Sequence, residues 1–493
     1  MTLPPTPPPS DRPAADATAS APAATPRRGR RSAGQSRRRP DTATLLAAVL
    51  PLLAIGGALL VAPHETVAVA HPPTEGQLER IDRVCPGVAA AGPVMIANAE
   101  GTDGRVRLRE LVDTSPPPEG VKVGGNAVAS REALAPVVLS AEEEPAVGLV
   151  ATRSEAKPLA AVSCPEPTAE VWFTGLGARL DHDSMLELDN PDTGAAVVDL
   201  TVYSGRGELE ASDLKGISVP GLGTVTIDLA SVLPRRGFLA VRADVSRGRA
   251  TINVIDRVGL QEEEQRHDWV AGQVAPSLTN LVLGLPPGEG TRTLVLANPN
   301  DSEAVATVQL VTDTNVFTPT DVGEIRIRPG GVVPVPLDGV LASKVARGAL
   351  GLVVTATQPV AASLSATVDG DPAATPSAVT LEDRGAALVP DAAGTLVLAG
   401  APVAGTVQVD VFDADGASLL DQAVEVKPGA GQEIALPDGA ALVTVLPSGT
   451  TISAAIVVAD RTGATVLPVT DLPRHSLAPY VGPVLSSTGQ SGS

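Results

Sequence analysis

Apolar and polar residues alternate with a period of two along much of the chain. Val198, Leu200 and Val202 are separated by Asp199 and Thr201; Val308 and Leu310 flank Gln309; Val407, Val409 and Val411 enclose Gln408 and Asp410. That spacing predicts antiparallel strands with one buried face and one wet face. Each is preceded by a strand running into a turn: Leu186-Glu187-Leu188-Asp189-Asn190-Pro191, then Leu294-Val295-Leu296-Ala297-Asn298-Pro299, and more weakly Leu396-Val397-Leu398-Ala399-Gly400-Ala401-Pro402. Each is followed by a Pro-Gly turn, at Pro220-Gly221, Pro329-Gly330 and Pro428-Gly429, and by a terminal hairpin. A matching hairpin, Val147–Val150 to Leu159–Val162, precedes the first of these units, so the unit occurs four times.

Six or seven short strands per unit, with turn residues every 8–12 positions, predict an all-β protein of tandem immunoglobulin-like β-sandwich repeats. A β-propeller is the alternative. It calls for self-similarity at about 40–50 residues, whereas the visible period lies near 100.

One stretch departs from this pattern. Ala43–Ala62 is twenty residues without a charge, preceded by seven arginines between Arg27 and Arg39. About 20 apolar residues suffice to cross the hydrocarbon core, and the arginine flank belongs on the cytoplasmic side. The expectation is a single N-terminal transmembrane helix acting as a signal anchor, with the bulk of the chain extracytoplasmic. Ala68-Val69-Ala70 fits a cleavage site, so a removed signal peptide is the competing reading. The apolar run is longer than the usual 7–15 residues, which favours retention. The expected division is a disordered Pro/Arg-rich cytoplasmic tail (1–42), the membrane helix (43–62), a linker (63–84), a first β domain (85–165) and a second sandwich (166–260). A second linker (261–280), a third sandwich (281–371), a fourth (387–470) and a flexible tail (484–493) complete it.

Charge sharpens the picture. Residues 1–62 carry a net +5 within a total of −20, so the remainder is strongly acidic. This argues against nucleic acid and anionic surfaces as partners. The two cysteines, Cys85 and Cys164, both follow the apolar run, and in an oxidising exterior an even pair predicts one disulfide.

Candidate chemistry is sparse. Asp181-His182-Asp183-Ser184 contains the residue types of a catalytic triad, but neighbours in a strand point apart, and the segment reads as a polar turn. The run Glu262-Glu263-Glu264-Gln265-Arg266-His267-Asp268 could attract calcium between domains, yet reads first as a solvated linker. Asp413-Ala414-Asp415-Gly416 resembles the start of a calcium loop but fits a hairpin tip. Trp172-Phe173, the one aromatic pair, is either a binding surface or a plug in the core or at the junction of the first two sandwiches. No zinc spacing and no phosphate-cradling loop occurs. No cofactor is expected.

The Arg-rich tail with its single anchor, Cys85-Pro86-Gly87, Cys164 ahead of Trp172-Phe173-Thr174-Gly175, and the strand Leu188 to Pro191 together resemble an uncharacterised family of actinobacterial membrane-anchored envelope proteins, a domain of unknown function. The likeness spans roughly residues 80–460, and members carry a second Trp where this chain has Phe173. The resemblance implies an exported or anchored protein linked to envelope assembly, with no catalytic residues to carry over. The expected function is a non-enzymatic binding or scaffold protein whose partner is a cell-envelope polymer or a membrane protein. The alternatives are an accessory subunit or hydrolase acting on envelope glycans, and a calcium-rigidified adhesin.

Overall fold

The computed structural model describes residues 74–478, except 88–91, 113–116, 260–264 and 274. The expected tail, membrane helix and cleavage site lie outside the described residues, as does the expected flexible tail. Among the described residues no helix is long and apolar enough to cross a membrane.

Four β domains repeat one topology, seen most plainly in the fourth. Its strands are Gly385–Leu388, Gly394–Ala399, Gly405–Phe412, Ser418–Val426, Gln432–Ala435, Leu442–Ser448, Ser453–Ala459 and Ala464–Pro468. Numbered within the domain, they form one sheet of order 1-6-3-4 and a second of order 5-2-7-8. The alternating valines of the third strand face the fourth-domain core, where Val407, Val409 and Val411 are fully buried with Leu396, Leu398 and Ile456. Sheets packed face to face around such a layer are a β-sandwich.

The other domains repeat this order with local variations. In the third, strands six and seven are one continuous strand, Ala349–Val368, which pairs with Ala304–Thr312 in one sheet and with Gly290–Ala297 in the other. The reason is local. The other domains turn between these strands through Gly148, Gly248 and Gly449, each at positive φ. Thr357-Gln358-Pro359 supplies no such residue, so the chain passes straight from sheet to sheet.

The Asn-Pro signature has a defined job. Asn190 and Asn298 end the second strands of their domains and are fully buried. Asn190 Nδ2 donates to Gly194 O (2.8 Å) and Val219 O (3.2 Å), while its Oδ1 accepts from Asp192 N (2.9 Å). Asn298 repeats this with Ser302 O, Ile327 O and Asn300 N. Asn98 does the same in the first domain, donating to Pro145 O and Val147 O and accepting from Glu100 N and Thr102 N. A side-chain amide thus satisfies loop carbonyls that burial would otherwise orphan. The fourth domain carries Gly400 instead, at φ +85°, which explains its weaker motif.

The sandwiches close into a ring, an arrangement like four thick propeller blades. The eighth strands, Leu159–Ser163, Arg266–Val270, Asp371–Pro376 and Ala464–Pro468, gather at the axis, and each packs against the next from first domain to fourth and back to first. Apolar seams fill the spaces between blades. Ala160, Val162, Ile255 and Trp269 join domains one and two. Trp172, Tyr203, Ala240 and Val295 join two and three. Leu283, Leu350, Val397 and Val457 join three and four, and Ala97, Val150, Leu388 and Leu442 join four and one. Outside the axis, Thr74–Gln77 pairs antiparallel with His475–Ala478, clasping the beginning of the ring to its end.

Two boundaries differ from the sequence reading. The expected linker 261–280 holds two strands, Arg266–Val270 and the start of Ser277–Leu283, and the third sandwich extends to Pro376. The charges of the Glu262–Asp268 run suggest solvent. The neighbours that bury its second half come from the other three domains and are not visible in local sequence.

Candidate binding site at the ring axis

The strand Arg266–Val270 sends three consecutive side chains toward three different domains. Arg266 Nη1 donates to Thr462 O of the fourth domain (2.9 Å) and lies 3.7 Å from Asp371 Oδ1 of the third. His267 Nε2 meets Glu155 Oε2 of the first domain at 3.0 Å. Asp268 Oδ1 accepts from Ala161 N (3.3 Å), also of the first. Asp371 in turn accepts from Ala464 N through Oδ2 (3.1 Å). This polar knot marks one end of the axis, where the inner strands begin.

Satisfaction in the knot is incomplete. Glu155 Oε1, Asp268 Oδ2 and Asp371 Oδ1 are buried without a hydrogen-bond partner. Burial accordingly raises Asp268 well above the ordinary carboxylate range, opposed by the hydrogen bond it accepts from Trp269 N. Burial also lifts Asp371 to about 6, against the Ala464 hydrogen bond and the nearby Arg266 and His267. His267 remains the only imidazole in the knot. Among the described residues no three His, Cys, Asp or Glu side chains are placed to hold a metal ion.

The other end of the axis is open. Where the four inner strands finish, all four domains line a funnel of about 220 Å3. Its walls include Val162, Val171, Ile252, Val270, Pro376 and Pro468, with Arg83, Glu166, Glu170, Asn253 and Gln273 among the polar groups. Arg83 is nearly buried and donates from Nε to Leu149 O (2.9 Å), with Nη2 3.1 Å from Glu166 Oε1. Desolvation lowers its pKa, and Glu166 partly restores it. Gln273 is held across the second and third domains: its backbone exchanges two hydrogen bonds with Trp172 (both 2.8 Å), and its Nε2 donates to Ala362 O. Its Oε1 has no partner.

The residues singled out from sequence fall around this axis in different ways. Cys85 and Cys164 are joined by a disulfide that ties the first strand of the first domain to the residue after its eighth, and Cys164 lines the funnel. Trp172 and Phe173 do not form a binding surface: they are 2% and 1% exposed. Strand alternation sends them to opposite faces, Phe173 into the core of the second domain and Trp172 into the seam with the third, stacked on Tyr203 at 5.4 Å. The seam is between domains two and three, not one and two. Trp172 still touches the site indirectly, donating from Nε1 to Glu170 Oε1 (2.7 Å).

Of the triad-like segment, His182 Nε2 lies 2.9 Å from Asp256 Oδ2, and Ser184 Oγ donates to the same carboxylate. Both groups converge on the acid, so the imidazole does not stand between acid and hydroxyl as a relay requires. Asp413–Gly416 forms the tip between the third and fourth strands of the last domain, where Asp413 Oδ1 accepts from Asp415 N and Ala417 N. A second acid pair, Glu187 and Asp189, carries no distinguishing mark in the sequence. Glu187 Oε1 accepts from Gly87 N (2.8 Å), and Asp189 accepts from Thr224 Oγ1 (2.6 Å) and Asn253 Nδ2 (3.2 Å). Burial raises both, Asp189 well above its usual range. Neither lines the funnel.

A family model covers residues 124–437, from within the first sandwich to within the fourth. The chain belongs to DUF5719, a family of unknown function. The part of this DUF5719 protein that the model covers includes Glu155, Arg266, His267, Asp268 and Asp371 of the polar knot, but not Thr462 and Ala464, and most of the funnel. No curated protein matches it. Among solved structures, the major pilin subunit BcpA of Bacillus cereus is 10% identical, with 71% of this chain and 95% of that chain covered at a TM-score of 0.12. Alpha-2-macroglobulin of E. coli in its native conformation is 11% identical, covering 82% of this chain and 30% of that one at a TM-score of 0.11. Likeness at this level carries no functional argument.

Proposed function

We propose that this DUF5719 protein is a membrane-anchored, extracytoplasmic, non-enzymatic binding or scaffold protein of the cell envelope, of actinobacterial type, that receives its partner at the ring axis. The observation that carries the binding role is the funnel: four domains contribute to one concave site containing an unpartnered buried acceptor. Concave sites with a few converging polar groups are where proteins usually hold ligands. The anchor rests on the uncharged run 43–62 and its arginine flank. The Cys85–Cys164 disulfide supports an oxidising exterior. Against a glycan hydrolase stands the setting of the acids. That chemistry uses two carboxylates across a substrate cleft, whereas Glu187–Asp189 and Asp268–Asp371 are enclosed by protein, and in the funnel Glu166 is paired with Arg83 and Glu170 with Trp172 Nε1.

The test is co-sedimentation of the full-length chain, in detergent, with isolated cell-wall polymer, with and without calcium. Saturable pelleting supports a wall-binding element, and calcium-dependent pelleting favours the adhesin form. Protein that stays in the supernatant overturns direct wall binding and leaves a membrane protein as the partner to seek.

A further inference from the structure

We propose that the axial funnel receives an aliphatic primary ammonium, the group presented by a lysine side chain or another aminoalkyl arm; this rests on the axial binding role proposed above. The inference comes from an imbalance between donors and acceptors. Arg83 spends its donors on Leu149 O (2.9 Å), Cys164 O (3.4 Å) and Glu166 (3.1 Å). Asn253 Nδ2 donates to Asp189 (3.2 Å), Gln273 Nε2 to Ala362 O, and Thr168 Oγ1 to Glu170 O (3.0 Å). The amide and guanidinium donors at the funnel are therefore turned into the protein, while one amide carbonyl, Gln273 Oε1, is left over and the carboxylates of Glu166 and Glu170 outnumber the single guanidinium.

Gln273 is 5% exposed, and its Oε1 has no partner. A buried carbonyl left in that state is costly, so the amide of this lining residue gains by turning Oε1 toward a ligand N–H. The lining also sets one guanidinium, Arg83, against two carboxylates, Glu166 and Glu170. A ligand that brings donors and a positive charge fits; a carboxylate or phosphate does not. An ammonium carries three donors and no acceptor.

Size and walls define the rest of the group. At about 220 Å3 the funnel holds roughly seven water volumes. It is smaller than the ~300 Å3 at which pockets for whole small molecules begin. It therefore suits a side chain or the end of an arm. Val162, Ile252, Val270 and Pro376 offer contact to methylenes and nothing to a polar stem.

The test titrates Nα-acetyl-lysine methylamide into the full-length chain in detergent, read by calorimetry, against Nα-acetyl-norleucine methylamide, which keeps the stem and lacks the ammonium. The expected result is saturable one-to-one binding of the lysine derivative, at least about ten-fold tighter than the norleucine one. Glu166→Gln is expected to weaken it several-fold; because that carboxylate also pairs with nearly buried Arg83, the melting temperature should fall, and the titration is run well below it. Gln273→Met is expected to weaken it further. Should Gln273→Met fail to fold, the Glu166→Gln and norleucine comparisons still decide. Equal affinity for both derivatives, or no saturable binding by the unaltered protein, overturns the inference. Wall-polymer pelleting that persists under either of those results leaves the axial ligand wrong and the envelope-binding role standing.

Discussion

The seams and the polar knot of the axis both lie between domains, and they are built on opposite principles. The seam between the second and third domains is Trp172 stacked on Tyr203 above Ala240, Val295 and Val332, apolar groups that gain by leaving water. The axis is Arg266, His267, Asp268, Asp371 and Glu155, groups that lose by leaving water and recover only part of the loss from one another. Seams hold neighbouring blades together. The axis instead checks their identity, because Arg266, His267 and Asp268 each need a particular atom from a particular domain. Apolar surfaces alone would tolerate a blade sliding or rotating; this set of polar contacts would not.

Substitutions on the two sides should differ in size and in pH dependence. The largest effect is expected at the seam: Trp172→Ala removes a buried indole and should cost about 4 kcal/mol by urea denaturation. A loss below about 1 kcal/mol would show that the blades stand independently. Next comes the disulfide, which closes a long loop in the first domain. The Cys85→Ala/Cys164→Ala pair should cost about 3 kcal/mol, most of it through the unfolded chain, and reduction of the unaltered protein should reproduce it. At the axis, Glu155→Gln takes the carboxylate from His267. The amide leaves His267 Nε2 a weaker partner in an enclosed setting, and the expected cost in the same urea experiment is about 2 kcal/mol.

The last effect has the opposite sign and depends on pH. Burial raises the Asp371 carboxyl from the ordinary carboxylate range to about 6 in the folded protein. A carboxyl shifted upward contributes stability that is full below about pH 4 and is lost as pH rises through about 6. The amide introduced by Asp371→Asn cannot ionise, and it keeps a carbonyl for Ala464 N. The variant should therefore match the unaltered protein near pH 4 and exceed it by up to about 3 kcal/mol above pH 7. Parallel stability curves across that range would remove charge strain from the description of the axis.

The blades were legible in the sequence, and the ring only as the alternative, a β-propeller, which the period near 100 residues had placed second. Alternating Val407, Val409 and Val411 reveal a core face because the residues between them, Gln408 and Asp410, remain partly exposed. The second strands are different: Val397 and Ala399 face the next blade, so both faces of Leu396–Ala399 are buried, and the period of two says nothing about what covers the second face. Asn-Pro was visible as a repeat, but the buried amide that makes Asn98 its first copy lacks the Pro and escaped the pattern. The hardest case was Arg266–Asp268. Its partners Glu155, Asp371 and Thr462 lie roughly a hundred to two hundred residues away, and only a ring brings them to one axis. Gln273 carried no signal at all; an orphaned carbonyl is a property of its surroundings.

The clasp has a mechanical side. Thr74 lies opposite Ala478 and Gln77 opposite His475, so the first and last described residues sit side by side at the same end of a two-stranded ribbon. A force pulling those two residues apart loads the four residue pairs one after another, as in a zip, and not all at once in shear. A ribbon of two short strands has little stability of its own. Stretching a single molecule between its termini should show this closure opening at low force, as a small step well before any sandwich yields.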